Sequence, residues 1–141
     1  MVLVIRHTEE AEKIFFMQKS ANKITFFVNH SKVEIDTLDD AFIMLAEFLR
    51  KKLHLNGTKI VCAEGDCGAC TVLIKKEQTY KPVNSCIIPV YLIHGHHIIT
   101  IEGIQKDKQL HPVQEAMRAH HGAQCGYCTP GFVCAMVGMF D

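Results

Sequence analysis

The chain has 141 residues, 48% of them hydrophobic, and its 15 basic and 15 acidic residues cancel to a formal net charge of zero. That length can bury one substantial core or two small ones, and the charge balance gives no electrostatic case for nucleic acid. The opening apolar run stops at Arg6 and His7, too short for a signal peptide or a membrane span, so the seven cysteines point to a reducing cytoplasm rather than a secreted disulfide framework.

Residues 8–19 open on Thr8 as a possible N-cap with acids in the first turn, and Ala11, Ile14, Phe15 and Met17 form a helical apolar cluster. The β-rich runs 24–29 and 32–35, parted by Asn29, His30 and Ser31, predict a hairpin. Thr37 with Asp40 reads as a capping box for a helix of about a dozen residues, with Phe42, Leu45, Ala46, Leu49 and Leu53 on one face. Arg50, Lys51 and Lys52 suit its C-terminal end.

After Gly57 a cysteine-rich loop opens. It leads to a buried strand at 71–75, a polar turn at 76–79 and a short strand at 98–101. Strand, strand, helix and strand around a long loop make an α+β fold rather than a doubly wound sheet. The charged connector 105–108 marks a domain boundary. Beyond it, Pro112 sits near a helix start with Val113, Ala116 and Met117 on its apolar face. Thr129 as N-cap and Pro130 at N1 then introduce an apolar helix, 132–140, interrupted by Gly138. Such a helix needs neighbours, and an end at Asp141 leaves its surface uncovered and prone to association.

Chemistry concentrates in two cysteine stretches. Residues 61–70, VCAEGDCGAC, set Cys62, Cys67 and Cys70 in a C-x4-C-x2-C array, with Cys86 downstream as a fourth ligand. This is the plant-type 2Fe-2S spacing, and Gly65 and Gly68 permit the positive φ that lets backbone N–H groups approach sulfur. A structural zinc site would more typically show paired C-x2-C knuckles. The second stretch, QCGYCTPG at 124–131, holds the C-x2-C pair Cys125 and Cys128. Alone it reads as a redox dithiol, half a zinc knuckle or two ligands of a further cluster. Its place between two predicted helices, rather than after the first strand of a βαβ unit, favours the last. Cys134 reads as a small buried hydrophobe.

Several long motifs occur in order: NGTK at 56–59, CAEGDCGACTV at 62–72, VNSCIIP at 83–89, ITIEGI at 99–104, LHPVQEAM at 110–117 and HGAQCGYCTPGF at 121–132. Together they resemble the iron–sulfur part of the molybdenum hydroxylases, the family of xanthine dehydrogenase and aldehyde oxidase, and look most like the small subunit of the bacterial xanthine dehydrogenases. The resemblance implies a β-grasp ferredoxin-like domain at 23–104, the start of an all-α 2Fe-2S-binding domain at 105–141, and a leader, 1–22, without counterpart. It implies that Cys62, Cys67, Cys70 and Cys86 hold one cluster and that Cys125 and Cys128 supply half of a second, whose other cysteine pair lies in a later segment. It further implies electron relay from a molybdenum cofactor in a large subunit to FAD in a partner domain, with Gln124 near the pterin. Two departures stand out: Val61 replaces the usual Gly before the first cysteine, and His30 replaces a turn Gly, a position where positive φ would carry a modest cost.

Rival readings are a free-standing ferredoxin and a zinc-bound interaction module. His94, His96 and His97 read as turn and surface residues, and His120 and His121 as helix-end cations. Glu64 and Asp66 read as charges tuning a cluster loop rather than an acid–base pair.

Overall fold

The computed structural model describes residues 23–107 and 109–140, and the helix predicted at 8–19 lies outside the described residues. Strands β1 (Ile24–Val28) and β2 (Ser31–Ile35) form the predicted hairpin, in register from Ile24↔Ile35 to Val28↔Ser31. Alternation along β1 buries Phe26 and Val28 and leaves Phe27 44% exposed, the period-2 pattern of a strand with one covered face. At the turn it is Asn29, with φ of 55°, that takes the left-handed conformation, and His30 is spared it. Asn tolerates that region better than other side chains.

The single helix predicted from Thr37 is two. Helix α1 (Leu38–Phe42) and α2 (Leu45–Lys51) are separated by Ile43 and Met44, whose backbone is extended. Tertiary pairing causes the break: Leu45 N–H donates to Ile88 O at 2.7 Å and Val90 N–H to Ile43 O at 3.0 Å. The capping box is absent too. Thr37 makes no side-chain cap bond, and Asp40 pairs with Lys52 at 2.8 Å. That ammonium holds the Asp40 carboxyl below its ordinary range.

Strands β3 (Thr71–Lys76) and β4 (Thr79–Asn84) form a second hairpin, and β5 (His97–Ile99) enters between the two, parallel to β1 and antiparallel to β3. The sheet order is β2-β1-β5-β3-β4. The sequence marked 76–79 as a turn but not the strand after it; Pro82 is tolerated there because β4 is an edge. His97 belongs to a strand rather than to the surface turn predicted for it.

Consecutive Val72 and Leu73 point to opposite faces, so β3 is buried on both. On one face Val72 joins Phe26, Leu45, Leu49, Val90 and Ile98; on the other Leu73 joins Ile99, Ile104, Val133, Cys134 and Val137. Each such side chain contributes about 1.5–3 kcal/mol. Three helices close the second face: α3 (Ile101–Ile104), α4 (Pro112–Ala119) and α5 (Thr129–Phe140). Pro112 does open α4, capped by His111, whose Nδ1 accepts from Val113 N–H at 3.2 Å. His121 at φ 52° ends it, with Gly122 N–H returning to Met117 O at 2.9 Å, a Schellman closure with His in the glycine position. Helix α5 already includes Thr129, so that residue lies in the first turn instead of capping it. Among the described residues no helix is long and apolar enough to cross a membrane.

Candidate metal centre

The loop from Lys59 to Cys70 leaves α2 and returns to β3, and it is held in place by backbone-directed bonds. Arg50 donates to Asn56 O at 3.0 Å and Thr58 O at 2.9 Å. Glu102 accepts from Gly57 N–H at 2.7 Å and from the Thr100 hydroxyl at 2.6 Å, and Thr100 N–H in turn donates to Asn29 Oδ1 at 2.9 Å. The ITIEGI stretch therefore anchors the loop's entrance to the first hairpin. At its exit the Ser85 hydroxyl donates to Cys70 O at 2.6 Å, and the Asn84 side-chain amide donates to Gly65 O. Gly65 needs its freedom: its φ is +83°, and a Cβ there would stand 2.7 Å from Ile87 Cδ1.

Cys67 N–H donates to Cys62 Sγ at 3.5 Å. That N–H first, then the Glu64 N–H, the Cys67 thiol and the Asp66 N–H, brings the Cys62 thiol down to about 6. Amides converging on a sulfur are what a metal-bound thiolate needs, and here Glu64 and Asp66 contribute through their backbones. Cys70 and Cys86 lie deeper, buried with Ala46 and touched by Ile60. Burial, joined by the Cys70 thiol as hydrogen-bond partner, pushes the Cys86 thiol up to about 11. The four thiols thus fall into the pairs Cys62/Cys67 and Cys70/Cys86. Among the described residues no three His, Cys, Asp or Glu side chains gather as ligands of one ion would. The paired layout instead suits a two-iron cluster, in which each iron takes two cysteines.

Cys125 and Cys128 are exposed, in the loop between α4 and α5, and Gln124 precedes them on the same exposed turn. They do not join the first four directly. Helix α5 nevertheless brings their loop against the first: a Cβ on Gly131 would collide with Gly68 O and stand 2.9 Å from the Ala69 carbonyl carbon. Cys134 faces away, 1% exposed in the second core, and burial pushes its thiol up to about 12. Val61 is 60% exposed at the loop's lip, so a side chain there meets no packing conflict. Sequence reasoning missed the supporting roles of Arg50, Asn84, Ser85 and Glu102; a place inside the motifs VNSC and ITIEGI signals the last three, whereas Arg50 lies in α2 outside every motif and reads only as a helix-end cation.

Residues 100–141 match the family model described as a [2Fe-2S] binding domain. Over 138 residues the chain is 43% identical to xanthine dehydrogenase of Calliphora vicina, covering 93% of this chain and 10% of that protein. Among solved structures, quinoline 2-oxidoreductase from Pseudomonas putida 86 superposes with a TM-score of 0.68 at 33% identity, covering 79% of this chain and 65% of that one. The aldehyde oxidoreductase of Desulfovibrio desulfuricans gives a TM-score of 0.74 at 35% identity, covering 85% of this chain and 13% of that one. The chain spans about one tenth of the length of the curated relatives it matches.

Proposed function

We propose that this chain, which its sequence marks as the iron–sulfur portion of a molybdenum hydroxylase, works as the electron relay of such an oxidoreductase, between a molybdenum cofactor and FAD carried on partner protein. The observation that carries the reading is the amide-lined, paired arrangement of Cys62/Cys67 and Cys70/Cys86. A 2Fe-2S cluster held by these four thiolates would supply one-electron chemistry. The chain's own residues do the rest: backbone N–H groups of the loop stabilise negative sulfur, Ala46 and Ile60 wall off water from Cys70 and Cys86, and the bonds from Arg50, Ser85 and Asn84 fix the loop's span.

The sheet order, with parallel β1 and β5 between two hairpins, supports the β-grasp reading of 23–104. Helices α4 and α5 support 105–141 as the opening of a helical cluster domain, in which Cys125 and Cys128 are two ligands and Gln124 faces the pterin of the molybdenum cofactor. Seven free thiols suit a reducing cytoplasm.

The deciding experiment is anaerobic reconstitution of the chain with iron and sulfide, followed by dithionite reduction and EPR. About two irons and two sulfides per chain with one rhombic signal is the expected result. Bound zinc without sulfide overturns the reading.

A further inference from the structure

Lys59 stands where the two cysteine loops meet. Its backbone N–H donates to Ala69 O at 3.4 Å, one residue before Cys70. Its Nζ donates to Asn56 O at 2.7 Å and lies 5.7 Å from the centroid of the Tyr127 ring, between Cys125 and Cys128 in sequence. Asn56 O is itself held by Arg50 at 3.0 Å, so the ammonium is tied to a braced carbonyl on one side and lies over the Tyr127 ring, in the Cys125–Cys128 turn, on the other. Among the described residues no carboxylate pairs with Lys59. Among the described residues its charge therefore has no ion-pair partner at the junction.

We propose that Lys59 is a positioning residue for the Cys125/Cys128 site, its fixed ammonium raising the reduction potential of a cluster anchored there. The inference rests on the proposed ligand role of that pair. Reduction adds one electron and no proton, so the cluster with its thiolates becomes more negative by one charge. A cation held nearby stabilises that reduced state more than the oxidised one. The same contact places the Tyr127 ring, and with it the Cys125–Cys128 turn, against the loop that carries Cys67 and Cys70. Contact with an exposed ring is too weak to serve mainly as a strut, since Gly131 on Gly68 already fixes the helix. The charge is the part of Lys59 that nothing else at the junction replaces.

The test uses the holoenzyme that carries this chain, with Lys59→Met and Lys59→Arg, and reads both clusters by EPR-monitored redox titration. The expected result is a more negative midpoint for the helical-domain cluster in Lys59→Met, a smaller shift for the other cluster, and a return to the parent value in Lys59→Arg. Unchanged midpoints in Lys59→Met with both signals at full intensity overturn the inference alone. So does a Lys59→Arg midpoint displaced to the negative side of the parent, which would make shape rather than charge the cause; this outcome is read on Lys59→Arg against the parent and holds even where Lys59→Met fails to load. Absence of the second signal from the parent holoenzyme overturns the ligand reading of Cys125 and Cys128, and this inference with it.

Discussion

Gly131 rests on Gly68. The first turn of α5 meets the cysteine loop backbone to backbone, and a Cβ at 131 would run into the Gly68 carbonyl oxygen. Because Gly68 lies between Cys67 and Cys70, whatever moves α5 moves that cysteine loop. Gly131→Ala therefore forces helix and loop apart. The expected cost is about 1–3 kcal/mol, the range for overpacking a tight contact, measured by urea unfolding. Gly126→Ala is the control: its φ of +82° strains an added side chain, but nothing lies within 4 Å of its Cβ. That variant should lose only about 1–2 kcal/mol, from the backbone alone.

Buried cysteines of two kinds separate by iron content. Cys86→Ser should abolish iron retention by the reconstituted chain. Cys134→Ser should retain iron while losing about 1–3 kcal/mol of stability, because a hydroxyl replaces a thiol that packs among Val133, Val137 and Leu73. Loss of iron in Cys134→Ser would remove its assignment to the core.

The thiols of the metal-free chain should titrate apart. Cys62, at about 6, is thiolate at neutral pH and should be carbamidomethylated before Cys86, its rate levelling off above that value; Cys86, at about 11, should resist until strongly alkaline conditions. An ordinary unfolded thiol titrates near ~8.5. A depressed value such as that of Cys62 adds stability that is complete above ~8.5 and is lost as pH falls through about 6. A raised value such as that of Cys86 adds stability that is complete below ~8.5 and is lost as pH rises through about 11. Mass-spectrometric mapping of iodoacetamide adducts against pH checks the order; equal labelling of both at neutral pH would contradict it.

Glu102 bridges the Gly57 amide and the Thr100 hydroxyl, two segments far apart in sequence. Glu102→Ala should cost about 1–2 kcal/mol in denaturant unfolding and speed amide exchange at Gly57. Protection at Gly57 unchanged from the parent would show that the bridge does not hold the loop entrance.

The outer face of α5 exposes Phe132 at 59%, Met139 at 85% and Phe140 at 65%. The chain on its own should therefore self-associate, with light scattering after gel filtration giving a mass above that of one chain. Met139→Lys with Phe132→Gln should restore the monomer. A monomeric parent chain would contradict this expectation.

The sequence made legible what depends on local chemistry. Cysteine spacing located the loop, and the β-rich run from Ile24, closed by Asn29, His30 and Ser31, located β1. Pro112 located the start of α4, and the apolar run after Pro130 located α5. What it hid depends on partners distant in the chain. Nothing near Ile43 announces a helix break, because the cause is pairing with Ile88 and Val90. Thr37 and Asp40 have the spacing of a capping box, but Lys52 competes for the carboxylate and wins. The turn at Asn29 went to Asn rather than His30 because the Asn side chain also bonds Thr100, seventy-one residues on. At the site, ligand candidates were readable from thiol spacing, whereas Arg50, Ser85 and Asn84 act on carbonyls and announce nothing by residue type.

Gly138 repeats near the other end of α5 what Gly131 does at its start. A Cβ there would stand 2.8 Å from Pro82 and 3.0 Å from Leu73. The two glycines are seven residues apart, about two helical turns, so they lie on one side of the helix and seat it flush at both ends. A helix seated at two points has no hinge about which to swing away from the sheet. The spacing between α5 and the first cysteine loop is then a constant of the fold, and the electron transfer proposed between the two cysteine sites would run at a rate indifferent to solvent viscosity.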